Sequence, residues 1–551
     1  MIELFKKEWF RKIFRRRVLV IFLLLIQIIF FAFIFFNTNQ FSKYLRFLLP
    51  IVSTHVALYV ISQKTKKAFK VTWIFLILEF PILGGILYLF INFQFTSKKM
   101  TKKIESIKQR TNHFFNLKND SYQNALKLLP NRTSQINYLH KHENFPIFSN
   151  TKTIYLPLGE IKFEKLKDEL RKAKHYIFME YFIVQEGKMW NEIFEILKEK
   201  VKAGVLVRLL YDDIGCFLLL PNDFPKIMAE NNIECTVFNP FRPFFTVRQN
   251  NRDHRKITVI DGKVAFTGGI TLADEYINAI EKHGHWKDSA VMLKGDGVWA
   301  FTVMFLQMWE LCTNTQEDYK IYFPKTETDN RNQNLSENDL QFVQPYCDSP
   351  MDNENVGEHV YLQILNKANE YVYIYTPYLI LDDSMISSLT LSAKSGVDVR
   401  IITPNKWDKK IVHMTTQSYY RELIKSGVKI YEYSKGFLHA KCFVSDNQVA
   451  TVGSANLDFR SLYLHFECGT VVYNSSTVLD IKEDFLKTQQ VSKQITLEDC
   501  KSNVFLRIFQ EILRLFAPLM LFTINGAFKN HYLFFKEIIH SLSASGCQFS
   551  A

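Results

Sequence analysis

Two short segments of the chain hold the same residue types at the same spacing. In HRKITVIDGKVAFTGGIT, His254 and Lys256 stand two apart, Asp261 follows the lysine by five, and Gly268 follows the aspartate by seven. HAKCFVSDNQVATVGSAN repeats that register with His439, Lys441, Asp446 and Gly453. Each segment reads as a β-strand entering a turn, and residues two apart on a strand share a face. An imidazole therefore projects beside an ammonium in both copies. That pairing suits a phosphate: the imidazole bonds to phosphorus and the ammonium neutralises phosphoryl oxygens. With two such sets, one histidine serves as nucleophile and the other as general acid for the departing alcohol, with no metal or other cofactor required. A lone HxK would more simply be a hydrogen-bonded histidine at a strand end, and it is the duplication in register that argues for chemistry. Asp261 and Asp446 complete the motif and are grouped with the catalytic set. Each also precedes a turn (AspGly and AspAsn), so turn capping competes as their role.

The elements that must position these residues form a longer internal repeat, from about residue 152 to 500. LRKAKHYIFMEYFIVQEG, a helical stretch and KAGVLVRLLYDD in the first half match LNKANEYVYIYTPYLILDD, a helical stretch and KSGVDVRIITPN in the second. Each half reads as helix, strand, helix, strand. The β-branched and aromatic strands YIFMEYF, VLVRLLY, YVYIYTP and VDVRIIT predict the buried sheet of an α/β layer structure. Gly204 and Gly396 are placed to cap the preceding helices. A polar stretch from about Thr313 to Asp339 separates the halves, giving lobes at 151–330 and 331–500.

The N-terminal region, residues 1–97, holds three apolar runs at 18–36, 45–62 and 71–93. The first is long enough to span a bilayer and has no small-residue cleavage site, so it reads as an anchor. Basic residues precede it, fill the 63–70 loop and follow the third run, which by the positive-inside rule puts all three on the cytoplasmic side. Three full spans conflict with that. Glu79, Pro81, Gly84 and Gly85 break the third run, so the expectation is two spans plus a re-entrant or interfacial segment, with the large domain cytoplasmic. Residues 98–150 read as a connector. Residues 501–551 hold an amphipathic helix, Asn503 to Phe522, interrupted at Pro518, which lies either at a lipid interface or against the lobes.

The net charge of +13 suits a phosphate-bearing partner. The apolar runs beside the domain favour lipid over nucleic acid. Eight scattered cysteines, without CxxC or zinc spacing, predict free thiols.

HxKxxxxDxxxxxxG(G/S)x(N/T), present twice, resembles the signature of the phospholipase D superfamily. The apolar WxxLxxxFPxxGGxxY run from Trp73 to Tyr88, GGITLADEY and GHWKDSAVMLKG resemble the bacterial cardiolipin synthases in particular, and the likeness spans about residues 18 to 520. It implies an α/β fold of two pseudo-symmetric phospholipase-D-like lobes, each a mixed sheet flanked by helices, behind N-terminal transmembrane helices. It also implies a multi-pass enzyme of the bacterial plasma membrane that converts two phosphatidylglycerols to cardiolipin and glycerol. Carried onto this chain, His254 forms a phosphohistidine and His439 protonates the departing glycerol, then acts as base toward the second lipid; the reversed assignment stays open. Lys256 and Lys441 hold phosphate oxygens. Asn456 is a further donor, and its counterpart is Thr271, where the synthases usually have asparagine. Asp288 and Glu467 match the carboxylates that fix the histidine tautomers. His465 stands where asparagine is common. A phospholipase using water, a phosphatidylserine synthase, a nuclease and an inactive scaffold are the competing readings.

Overall fold

The computed structural model describes residues 39–81, 95–115, 120–217, 219–240, 250–324, 341–352 and 354–519, with a few single positions before residue 39 and between 84 and 88. The run at 18–36, most of the third run beyond Pro81, and the tail from 520 lie outside the described residues.

Helix α1, Gln40–Ser62, contains the second apolar run. At 23 residues it is about 35 Å long, enough to cross a hydrocarbon core of about 30 Å. Helix α2, Lys67–Glu79, follows and packs on it but is only 13 residues long, about 20 Å, and buries Thr72, Trp73 and Ile77. Among the described residues one helix, α1, is long and apolar enough to be a span. The third run stops being one helix at Phe80–Pro81, because proline removes a backbone donor and clashes with the preceding turn; the first run, the other expected span, lies outside the described residues.

Among the described residues eighteen strands follow. The first lobe contains β1 (Thr151–Leu156), β2 (Tyr176–Tyr181), β3 (Leu206–Asp212), β4 (Glu234–Phe238), β5 (Arg252–Asp253), β6 (Lys256–Ile260), β7 (Val264–Gly268), β8 (His285–Lys287) and β9 (Ala290–Gly295). The second contains β10 (Phe342–Asp348), β11 (Tyr371–Tyr375), β12 (Asp398–Pro404), β13 (Lys429–Tyr433), β14 (Gly436–Leu438), β15 (Cys442–Ser445), β16 (Val449–Gly453), β17 (His465–Tyr473) and β18 (Ser492–Ile495). The sheets run β1-β9-β7-β6-β2-β3-β4 and β10-β17-β16-β15-β11-β12-β13-β18. The second order repeats the first strand for strand and adds β18 at its edge. Along these two orders, among the described residues, β2-β3-β4 and β11-β12-β13 pair in parallel and the other neighbours antiparallel, which makes both sheets mixed. The repeat read in the sequence is thus a repeat of topology. Gly204 and Gly396 follow their helices with φ of +85° and +96°, the left-handed cap that glycine adopts without strain.

β2 and β11 are buried along their whole length, as largely apolar strands require, and the one charged residue of β2, Glu180, pairs with Arg255. Helix α3, Val298–Thr313, is apolar on nearly every face and buried accordingly. Its Phe305 ring stacks on Phe178 of β2 at 4.6 Å. The segment at 98–150 docks on α3: Arg110 pairs with Glu310, and the Trp299 indole donates to the Phe114 carbonyl at 2.6 Å. Among the described residues seven cysteines are free thiols. Helix α4, Lys410–Lys425, supports the C-terminal helix α5, Val504–Phe516, through Arg514, which pairs with Glu422 at 3.0 Å and lies over the Tyr419 ring.

Candidate active site

The two histidines stand where the lobes exchange short strands. β5 leaves the first sheet and pairs in parallel with the start of β17, setting Arg252 opposite His465 and Asp253 opposite Phe466. The next backbone N–H, that of His254, donates to the Phe466 carbonyl at 2.9 Å. β14 and β8 do the same in the other direction, with Leu438 opposite Lys287 and the His439 N–H donating to the Lys287 carbonyl at 2.6 Å. The residue after Phe466 is Glu467 and the residue after Lys287 is Asp288. The exchange therefore places each histidine beside the carboxylate of the opposite lobe.

The contacts bear this out. His254 Nδ1 lies 2.9 and 3.0 Å from the two Glu467 oxygens, and His439 Nδ1 lies 2.6 Å from Asp288 Oδ2. An ionised carboxylate only accepts, so Nδ1 holds the proton in both rings and each Nε2 keeps its lone pair. Lys441 Nζ also comes within 2.8 Å of His439 Nδ1. That nitrogen has one in-plane position, which the carboxylate takes, and the ammonium donates to the His439 carbonyl instead. Lys256 donates likewise to the His254 carbonyl at 2.5 Å.

Local sequence differences fit the carboxylates. A Cβ on Gly269 would sit 2.2 Å from Asp288 Oδ1, so glycine is what leaves room for that side chain. The matching position is Ser454, whose hydroxyl donates to Glu467 Oε2 at 2.5 Å.

Burial sets the protonation. His254, His439, Lys256 and Lys441 are all at least nine-tenths buried. Burial, followed by the charges of Lys256 and Lys441, pushes His254 well below the ordinary imidazole range. His439 is lowered to about 4 by burial and Lys441, with Asp288 opposing. Burial lowers Lys256 to about 7 and Lys441 to about 8. Two neutral imidazoles and two half-compensated ammoniums make a pocket that an anion would complete.

Several sequence expectations need correction. Asp261, at φ +53°, accepts the backbone N–H groups of Lys174, His175 and Tyr176 at 2.7–2.8 Å. Asp446 accepts those of Asn369, Glu370 and Tyr371 and pairs with Arg132. Both aspartates pin the start of β2 or β11, one strand length (roughly 16 Å) from the lysines, because five extended residues separate them. Grouping them with the catalytic set is therefore wrong, and turn capping is their place. The Thr271 hydroxyl donates to the Ile183 carbonyl at 2.5 Å and accepts its N–H at 3.1 Å, so it ties two segments together and is not available to phosphate. Asn456 is buried beside the site, its amide donating to Asp458 at 3.2 Å.

Three neighbours escaped the sequence. Arg460 Nε donates to His465 Nε2 at 2.8 Å, which fixes the His465 proton on Nδ1, 3.7 Å from Glu467. Lys162, on the helix Gly159–Lys172, is fully buried, bonds the Ile270 carbonyl at 2.8 Å, and is lowered to about 7 by burial, with Asp288 opposing and Lys256 adding to it. Ser454 was visible only as part of GSAN. His254, His465 and Glu467 lie close enough to share a cation. The Arg460 bond to His465 and the nearby Lys256 and Lys441 oppose one there.

Residues 361–488 match the family described as cardiolipin synthase, phospholipase-D-like domain. An uncharacterised protein of Streptococcus mutans is 44% identical over 84% of this chain and 99% of its own length. The cardiolipin synthase of a Geobacillus species is 32% identical over 89% of this chain and 97% of its own. Cardiolipin synthase 2 of Bacillus anthracis is 32% identical over 82% and 86% respectively. Among solved structures, the phosphatidylserine synthase of Haemophilus influenzae superposes with a TM-score of 0.54 at 15% identity, covering 73% of this chain and 98% of that one, a likeness of fold.

Proposed function

Because the chain belongs to the cardiolipin synthases, phosphatidyltransferases of the phospholipase D superfamily, we propose that it transfers a phosphatidyl group from one phosphatidylglycerol to a hydroxyl of a second. The observation that carries the reading is the crossed pairing of His254 with Glu467 and His439 with Asp288 around two buried lysines.

The nucleophile must enter neutral and the acid protonated. Burial lowers both imidazoles, and each has a carboxylate at Nδ1. We assign His254 as the nucleophile and His439 as the acid, as the family resemblance implies. The His254 Nε2 lone pair attacks phosphorus, the P–O bond to glycerol breaks, and the His439 Nε2 proton goes to the departing oxygen. The phosphate's own charge favours the protonated His439 once substrate is bound. Neutral His439 then takes the hydroxyl proton of the second phosphatidylglycerol, whose oxygen displaces Nε2 of His254 from phosphorus and leaves cardiolipin. Lys256, Lys441 and Asn456 hold the phosphoryl oxygens; Thr271 supports the wall of the pocket. The chain divides into lobes at 151–330 and 331–500, each built on one of the two sheets. The enzyme works at the bacterial plasma membrane, anchored by α1 and by the apolar run at 18–36.

Purified protein in phosphatidylglycerol vesicles tests this. Cardiolipin and free glycerol in equal amounts are expected. Phosphatidic acid without cardiolipin would show that water is the acceptor.

A further inference from the structure

Helix α5 turns a narrow apolar stripe away from the catalytic lobes. Phe505, Ile508, Phe509 and Ile512 recur at helical spacing and are 84, 54, 45 and 45% exposed. Leu513, at the flank of the stripe, is buried, and Arg514 on the opposite face is held against α4. The helix itself is well defined, with the Asn503 side chain accepting the Leu506 N–H at 2.7 Å as its cap.

The stripe does not end with α5. The Phe516 ring meets Phe75 of α2 edge-on at 5.7 Å, and the Thr72 hydroxyl donates to the Leu515 carbonyl at 2.7 Å. Leu519 packs with Trp73 and Ile77 of α2 and Val60 of α1. Val71 and Leu78 on α2 are exposed, as are Phe41, Phe47 and Leu58 on α1. Among the described residues α5, α2 and the candidate span thus share exposed apolar side chains and are joined by apolar contacts, the kind of surface that marks an interaction with lipid or protein.

The milieu that meets a span along its length and an amphipathic helix at its side is a lipid bilayer. We infer that α5 lies in the interface of a phospholipid bilayer, with Phe505, Ile508, Phe509 and Ile512 turned into the acyl region and Arg507 and Glu511 toward water. This rests on the reading of the chain as an enzyme of membrane lipids and extends it to a second point of attachment. The catalytic lobe is tied to the same platform. Lys66, between α1 and α2, pairs with buried Glu358 at 2.6 Å, and Phe69 of α2 packs on Phe459 and Tyr463 at 5.9 and 6.3 Å. Those two aromatics bound the short helix between Asn456 and His465. The platform thus fixes the height of the site above the bilayer, where a headgroup phosphate is presented.

The test uses the full chain in phosphatidylglycerol vesicles. An environment-sensitive fluorophore is placed on Phe509→Cys or on Arg507→Cys, and the signal of identically labelled native protein is subtracted. Phe509→Cys should give blue-shifted emission that acyl-brominated lipids quench at least about threefold more strongly than emission from Arg507→Cys. Emission at the wavelength of a water-exposed probe would overturn the inference. So would emission shielded from water but unquenched by bromolipid, which would mean that residues 520–551 or a second copy cover the stripe. Repeating the measurement with His254→Ala keeps it independent of catalysis, so a failure of the transfer reading and a failure of this one are told apart.

Discussion

His254 and Glu467 are 213 residues apart and belong to different lobes, yet the imidazole Nδ1 stands within 3.0 Å of both carboxylate oxygens. His439 and Asp288 repeat the relation in the opposite sense at 2.6 Å. Neither lobe holds a complete histidine, so the chemistry exists only when the lobes are docked.

Removing the charge but not the shape of a crossing carboxylate should slow turnover without unfolding the protein. Glu467→Gln and Asp288→Asn are each expected to lower kcat by about 10²- to 10⁴-fold, since the amide no longer favours the imidazolium and can select the wrong tautomer. Circular dichroism should stay unchanged. A kcat within about threefold of the native value in both variants would contradict the tautomer role.

The assignment of attacker and acid has its own readout. His439→Ala lacks the acid for glycerol and the base for the second lipid. Given a substrate with a p-nitrophenolate leaving group, which departs without a proton, this variant should accumulate a phosphatidyl adduct on His254, visible in the intact mass. His254→Ala should form none. The reverse pattern would exchange the two roles.

How much of this was legible beforehand depends on the distance over which a residue acts. The strands around Tyr176, Leu206, Tyr371 and Asp398 were readable because burial on both faces demands continuous β-branched and aromatic residues, a local signal. His254 and Lys256 were readable because a period of two fixes their common face. The carboxylates were legible as tautomer-fixing partners, but not which histidine each one serves, since the exchange of β5 and β14 between lobes leaves no local pattern. Arg460 and Lys162 act through tertiary contacts alone. Asp261 and Asp446 misled for the opposite reason: a fixed spacing from the lysine reflects the length of the hairpin, and a five-residue strand removes them from the site. The third apolar run suggested membrane by composition, and its packing on Val60 and Leu519 was not visible in sequence.

Asp261 should therefore behave as a structural residue. Asp261→Ala leaves three backbone donors without their acceptor and is expected to cost on the order of 2 to 3 kcal/mol, read as a lower midpoint of thermal inactivation. At a temperature where the variant is folded, its kcat should lie within about threefold of native. A loss comparable to that of His254→Ala would return Asp261 to the catalytic set.

Substrate capture should weaken in mild alkali. In the free enzyme Lys256 and Lys441 lose their protons near 7 and 8, as one coupled pair, and with them the attraction for phosphate. kcat/KM, which reports free-enzyme protonation, should fall as pH rises through 7 to 9. Lys441→Met should shift or remove part of that limb. A flat profile to pH 9 would show that the lysines stay charged.

Acid should destabilise the site through its histidines. His439 and His465 are lowered to about 4 and about 3 in the folded protein, against about 6.5 when unfolded. The folded state thus binds fewer protons in this window, so their contribution to stability is whole above about pH 6.5 and is lost as pH falls toward 4 and below. Each group costs about 1.4 kcal/mol per pH unit while only its unfolded form is protonated. Buried carboxylates with raised values, such as Asp348, act in the opposite direction, so the measurement must be a difference. His465→Asn keeps a polar side chain and removes one titrating ring. Its urea midpoint relative to native should improve steadily between pH 6.5 and 5. A constant difference over that range would mean that His465 takes up its proton without penalty in the fold.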